Sequence, residues 1–179
     1  MMENFIESLY KENSLTLPKR KKIWMLFGEV CKNGKYAKKS ESLIKRVQLS
    51  LSCINYTEKV WKVNDIINIS FLYDSIMDYI ENKLEADELN DICLKYQNKI
   101  ENLSSDECTE EYQIVAMACC YAARVALFDE ILLYDTDDDD LDEELDAYSW
   151  DTAYLISLLF SNQIIKYWEW YILQAEKLL

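Results

Sequence analysis

Apolar residues recur at intervals of three and four along nearly the whole chain, the period of helices that each bury one face. Phe5, Ile6, Leu9 and Tyr10 define a short first helix. Pro18 opens a second, at a position where a missing N–H costs no hydrogen bond. Its inward face is Ile23, Trp24, Phe27, Val30 and Cys31, and Asn33-Gly34 reads as its stop. Ile44, Val47 and Leu51 mark a third. The fourth carries Ile66, Ile69, Tyr73, Ile76, Met77, Ile80 and Leu84 on one stripe, with Asp74, Asp78, Glu81 and Asn82 opposite. A fifth places Leu89, Ile92, Cys93, Tyr96, Ile100 and Leu103 at the same spacing, and Ser104-Ser105-Asp106 reads as a break and cap.

The sixth helix, over 109–134, differs in kind. From Ile114 to Phe128 it is apolar nearly all round, the pattern of a helix covered on several sides. One face is small (Ala116, Cys119, Cys120, Ala123) and the other large (Tyr121, Val125, Phe128, Leu132). Small faces let helices approach closely, and large ones fill the gaps between neighbours. Residues 135–146 then carry almost no apolar side chain; like charges at that density resist helix formation, and an exposed loop is expected. Ser149 reads as the cap of a seventh helix, with Asp151 in its first turn. An eighth begins near Asn162 and turns Ile164, Ile165, Trp168, Tyr171, Ile172 and Ala175 inward, while Tyr167 and Trp170 fall off that stripe, partly exposed or closing a second packing layer. No internal repeat of fixed period is visible. The expected fold is all-α: a single-domain bundle of about eight helices around a central apolar, Ala/Cys-rich helix, spanning 1–179, with the acidic loop exposed at 135–146.

Composition supports this reading. With only 2 glycines and 1 proline in 179 residues, the chain has almost no material for the positive-φ turns of hairpins and sandwiches. The six cysteines fall mostly on apolar helix faces and form no C-x-x-C pair; adjacent Cys119 and Cys120 point in different directions on a helix. Reduced, buried thiols in a cytoplasmic protein are the reading. The N-terminus lacks a basic region followed by an apolar run, and Ile114–Phe128 is too short and too interrupted, at Arg124, to span a bilayer.

Chemistry is harder to place. Histidine is absent, which excludes His-based acid–base catalysis, Ser-His-Asp and Cys-His nucleophiles, and HExxH zinc sites. Two isolated glycines cannot build a phosphate-cradling loop. Glu81, Glu85, Glu88 and Asp91 lie roughly along one helical face and resemble the paired carboxylates of all-α nucleotide pyrophosphohydrolases, so a magnesium-dependent hydrolase is the enzyme alternative; a solvated face is the plainer explanation. From Asp135, carboxylates occupy positions 1, 3, 5 and 12 of an EF-hand-like loop (Asp135, Asp137, Asp139, Asp146). Yet Asp140 stands where glycine is needed, Asp142 where an apolar residue is, and Asp146 where a bidentate Glu is. No catalytic residue, metal or cofactor is therefore assigned. Lys19-Arg20-Lys21-Lys22 opposes the macrodipole at a helix start and reads as pairing with acidic helices nearby or with solvent.

Charge gives the strongest functional signal. The formal net charge is −14, but residues 1–64 carry 13 Lys+Arg against 6 Asp+Glu (+7), and residues 65–179 carry 6 against 27 (−21). A field of that size repels nucleic acid and anionic membrane and attracts basic proteins. Residues 129–151 hold twelve acidic side chains and no basic one. Crowding them costs stability that a docking cationic partner restores. The partner-binding residues expected on this basis are Asp135, Asp137, Asp138, Asp139, Asp140, Asp142, Glu143, Glu144 and Asp146. A toxin with a basic surface, a nuclease among them, fits such a site because it must grip phosphates. A nucleic-acid mimic aimed at a different protein is the alternative binder.

Two C-terminal segments sharpen the choice. Asp138-Asp139-Asp140-Leu141 followed by Tyr148-Ser149-Trp150-Asp151-Thr152-Ala153-Tyr154, and then Lys166-Tyr167-Trp168-Glu169-Trp170-Tyr171-Ile172, resemble a family of all-α immunity proteins from bacterial polymorphic toxin systems. The alanine-rich segment Ala116–Ala126, with its Ala-Ala-Arg, is similar as well, so the resemblance covers residues 112–175. It implies a non-catalytic cytoplasmic protein that protects its producer by binding a cognate toxin domain.

Overall fold

The computed structural model describes residues 2–30, 32–62, 66–104, 107–133 and 150–179. The expected acidic loop at 135–146, with its EF-hand-like spacing, lies outside the described residues, as do Ser149 and Cys31.

Among the described residues the chain is all-α apart from one small hairpin. Its elements are α1 (Met2–Glu12), α2 (Leu17–Leu26), β1 (Lys32–Asn33), β2 (Tyr36–Ala37), α3 (Glu41–Tyr56), α4 (Glu58–Trp61), α5 (Ile69–Ile80), α6 (Ala86–Glu101), α7 (Glu110–Phe128), α8 (Glu130–Leu133), α9 (Thr152–Ser157) and α10 (Ile164–Leu178), with a 3-10 stretch, Leu158–Gln163, between the last two. The central helix is α7, the one whose sequence is apolar all round. Helices α3, α5, α6 and α9 pack around it, and α10 lies on α3 and α1. Ala116, Ala118, Cys119, Ala122, Ala123 and Ala126 are fully buried; these short side chains let four helix axes converge on one. Buried side chains from Met2 to Ala175 form one connected core.

Local chemistry sets the helix starts. Ser40 caps α3 by accepting from the Leu43 amide at 3.1 Å, Asn68 caps α5 through the Phe71 amide at 3.1 Å, and Thr109 caps α7 through Tyr112 N at 3.3 Å. At α6 the Glu88 carboxylate accepts from the Glu85 amide, half of a capping box. Of the predicted break and cap at 104–106, Ser105 and Asp106 lie outside the described residues, and the N-cap of α7 is Thr109. Ser104 donates to Glu107 from both amide and hydroxyl.

Other expectations are corrected. Asn33-Gly34 does not stop α2. That helix ends at Leu26, and Gly28 turns the chain at φ +120°, a conformation L side chains avoid. Asn33-Gly34 instead begins the turn of the β1–β2 hairpin, where Lys32 faces Ala37 and Asn33 faces Tyr36, with Gly34 at φ +65°. An Asn-Gly pair is a hairpin signal as much as a helix stop. The expected helix over 109–134 breaks at Asp129, φ +66°, into α7 and α8, so Leu132 leaves the large face and stands exposed. Ile66 precedes α5 and is exposed rather than part of its stripe. Tyr167 is buried, its hydroxyl donating to the Ala153 carbonyl at 2.9 Å, and Trp170 stacks on Tyr56 with ring centroids 4.2 Å apart. The second packing layer is real.

Among the described residues no helix is long and apolar enough to cross a membrane. The five described cysteines are unbridged and buried; burial pushes the Cys53 and Cys119 thiols up in pKa.

Candidate partner-binding site and the buried ion pairs beside it

None of the nine carboxylates expected to bind a partner, from Asp135 to Asp146, is among the described residues. What the structure places is the chain on either side. The fold leads into the segment through Asp129, Glu130 and α8, and resumes at Trp150 and Asp151. Both flanks are tied to the basic N-terminal half.

On the C-terminal flank, Asp151 is fully buried and does two things. Its Oδ1 accepts from the Tyr154 amide at 3.0 Å, making it the N-cap of α9. This displaces Ser149 from the role expected of it and moves Asp151 out of the first turn. Its Oδ2 accepts from Arg20 Nε at 2.8 Å and pairs with Arg20 Nη2. The guanidinium, itself 0% exposed, also donates to the Leu15 carbonyl and lies 5.2 Å from the Trp168 ring centroid and 5.6 Å from that of Tyr154. Cation–π contacts strengthen when desolvated.

The N-terminal flank has a matching arrangement. Arg46 of α3 donates through Nη2 to Asp129 Oδ2 at 2.8 Å, and through Nη1 to the Trp24 and Gly28 carbonyls at 3.0 and 3.1 Å. Both partners are essentially without solvent contact. Asp129 Oδ1 accepts from the Ile131 amide at 3.3 Å, which starts α8 in a new direction. Burying ions is expensive unless they are paired and hydrogen-bonded, and here two cations meet two anions with further donors and acceptors around them.

Glu130 is the fifth ionisable group in this region. It is 2% exposed, and its Oε2 has no hydrogen-bond partner among the described residues. Burial holds its carboxyl well above the usual carboxylate range. The negative charges of Asp151 and Asp129 add to that effect, and Arg20 and Arg46 oppose it. With Glu130 neutral, the two arginines and two aspartates balance. A carboxyl whose pKa is raised on folding stabilises fully below its unfolded value, about 4.3, and that contribution is lost as pH rises toward the folded value. Glu130→Gln is therefore expected to gain on the wild type as pH increases. Urea midpoints of the two proteins between pH 5 and 8 check this. A gap independent of pH would show that Glu130 titrates normally.

Sequence reasoning missed this cluster, although a signal was present. Arg20 shares a stripe with Leu17, Trp24 and Phe27, and Arg46 one with Leu43, Ser50 and Cys53; in each case an arginine sits where the period demands a core residue. Of the Lys19–Lys22 run, Arg20 turns into the core, while Lys19 pairs with Glu12 on the surface.

Of the carboxylates considered for metal chemistry, Glu81, Glu85, Glu88 and Asp91 do not assemble, and the EF-hand-like set from Asp135 to Asp146 lies outside the described residues. Glu81 is the C-cap of α5 and Glu85 the N-cap of α6, so they do not share a helical face with Glu88 and Asp91. Glu81 pairs with Lys83, and Glu88 is engaged in capping. Among the described residues no group of three His, Cys, Asp or Glu side chains can hold a metal ion.

A comparison with curated proteins finds no match to this chain. Against models of protein families, residues 5–176 match the one described as Immunity protein Imm5. That match takes in most of α1 and nearly all of α10, together with α2 and α3, which carry Arg20 and Arg46, and the acidic segment that precedes α9. It covers almost the whole chain, so the protein belongs to the Imm5 family of immunity proteins.

Proposed function

We propose that this chain is a cytoplasmic, non-catalytic immunity protein that binds and silences a cognate toxin domain through the acidic surface centred on Asp135–Asp146. The supporting observation is the distribution of charge: nine carboxylates and no cation over 135–146, in a segment whose two flanks are tied down by the Arg46–Asp129 and Arg20–Asp151 pairs. Fixed ends limit the ordering entropy that a docking partner must overcome. Carboxylates crowded together repel one another until a cationic surface docks, and their summed field steers that surface in. A toxin that acts on nucleic acid carries such a surface, because it holds phosphates.

The toxin domain encoded beside this protein's gene is the reagent for the test. Asp137→Asn, Asp138→Asn, Asp139→Asn and Asp140→Asn, combined, are expected to slow association about 10- to 100-fold at low ionic strength and to flatten its dependence on salt. Stopped-flow or interferometric kinetics measures both. Unchanged association at low salt would remove this segment as the site. Failure of the wild type to bind that toxin or to protect cells expressing it would overturn the immunity reading itself.

A further inference from the structure

Helix α7 is covered almost everywhere. Between Val115 and Leu127 every side chain is buried except Met117 and Arg124. Met117 continues a stripe through Gln113, Ile114 and Tyr121 at helical spacing, and these four residues form one wall of a cleft of about 440 Å³ between α6 and α7. Leu103, Trp150 and Leu155 also line the cleft. Among the described residues, the half-buried Gln113, Ile114 and Met117 stand out on an otherwise enclosed helix.

The lining has a definite chemistry. Ile114, Met117 and Trp150 supply half-buried apolar surface. Glu101 is the sole charged group among the described lining residues, with the amides of Gln97 and Gln113 beside it. It is exposed and accepts from Gln97 Nε2 at 3.0 Å. Glu110, exposed one turn before Ile114, adds a second carboxylate on the same face of α7. Greasy walls under an anionic lip match a side chain with an apolar stem and a cationic head. The structure already contains such a contact here: the Arg124 guanidinium lies 5.1 Å from the Tyr121 ring centroid. Trp150 is also where the described fold resumes after the acidic segment, so the cleft lies at that segment's C-terminal flank.

We propose that this cleft is the anchor pocket for the toxin, taking an arginine side chain whose methylenes lie on Ile114, Met117 and Trp150 and whose guanidinium meets Glu101. The proposal rests on the immunity reading and divides the labour within it. The acidic segment governs how fast the complex forms, and the pocket how slowly it comes apart, as expected when long-range charge steers and a desolvated anchor holds.

The pocket is tested first without any toxin. Protein labelled with 13C at its methionine methyl groups is titrated with butylguanidinium, with butylurea as the uncharged counterpart and guanidinium chloride as the stemless one. The Met117 methyl resonance, assigned with Met117→Leu, is expected to shift saturably with butylguanidinium, and Glu101→Gln to weaken that binding several-fold. A Met117 signal that does not move, or that butylurea moves as effectively, overturns the arginine assignment. A shift that depends on protein concentration alone would identify a second copy of this chain as the occupant and overturn it too. With the neighbouring toxin, Glu101→Gln should raise the dissociation rate about tenfold and leave association nearly unchanged. An effect confined to association places Glu101 in the steering field instead, and the anchor is then rejected. If wild-type protein does not bind the toxin at all, the immunity reading fails, while the butylguanidinium titration still decides the pocket's chemistry.

Discussion

Replacing Arg46 by methionine is expected to destabilise the protein by about 3–5 kcal/mol, the range for removing one member of a buried ion pair. Methionine keeps much of the stem, so lost packing is a small part of the effect. The main cost is electrostatic. Asp129, 1% exposed, would remain as a buried carboxylate beside Glu130, and the Trp24 and Gly28 carbonyls would lose the donor that now reaches both. Adding Asp129→Asn should restore a good part of the stability, because the orphaned charge is gone. Urea unfolding of the two single variants and the double closes the thermodynamic cycle. A loss below about 1 kcal/mol, the size seen for exposed pairs, would mean that water reaches the guanidinium and that the pair does not anchor the chain.

The second large effect is expected at Trp24, and by a different mechanism. Its indole is fully buried, and Nε1 donates to the Tyr171 hydroxyl at 2.7 Å. Trp24→Ala should cost about 3–5 kcal/mol from lost apolar burial and the cavity left behind. Trp24→Phe retains most of the ring volume and strands the buried Tyr171 oxygen, for about 1–3 kcal/mol. Equal losses in the two variants would show that the hydrogen bond, rather than the volume, matters at this position.

Hydrophobic period carried most of the architecture. The stripes of α5, α6 and α10 are buried largely where spacing puts them, and α7 is central for the reason its composition implies. Misreadings cluster where one local signal has two meanings. Asn33-Gly34 ends helices and turns hairpins with equal ease, and only pairing with Tyr36–Ala37 decides between them. The break at Asp129 has no local helix-breaker to announce it, since neither glycine nor proline is near; the residue accepts a positive φ while its carboxylate is held by Arg46, 83 residues earlier. Arg20 and Arg46 look like surface cations because charged residues are rarely fully buried, and their partners lie on distant helices. The candidate site was legible only as charge density. Its buried flanks, and the cleft beside Trp150, depend on contacts that no spacing rule reports.

Arg20 and Asp151 are separated by 131 residues, Trp24 and Tyr171 by 147, and α1 lies against α10. During synthesis the first helices therefore emerge with their arginines and aromatic faces awaiting partners that the ribosome has yet to make. At about 5–20 residues per second, the interval from Arg20 to Asp151 is roughly 7–26 s. Nascent chains pass through that window uncapped, a natural moment for chaperone engagement. On the immunity reading, a cell exposed to toxin is guarded by the stock of finished molecules it already holds, and messenger translated after the attack contributes only once its last helix has docked.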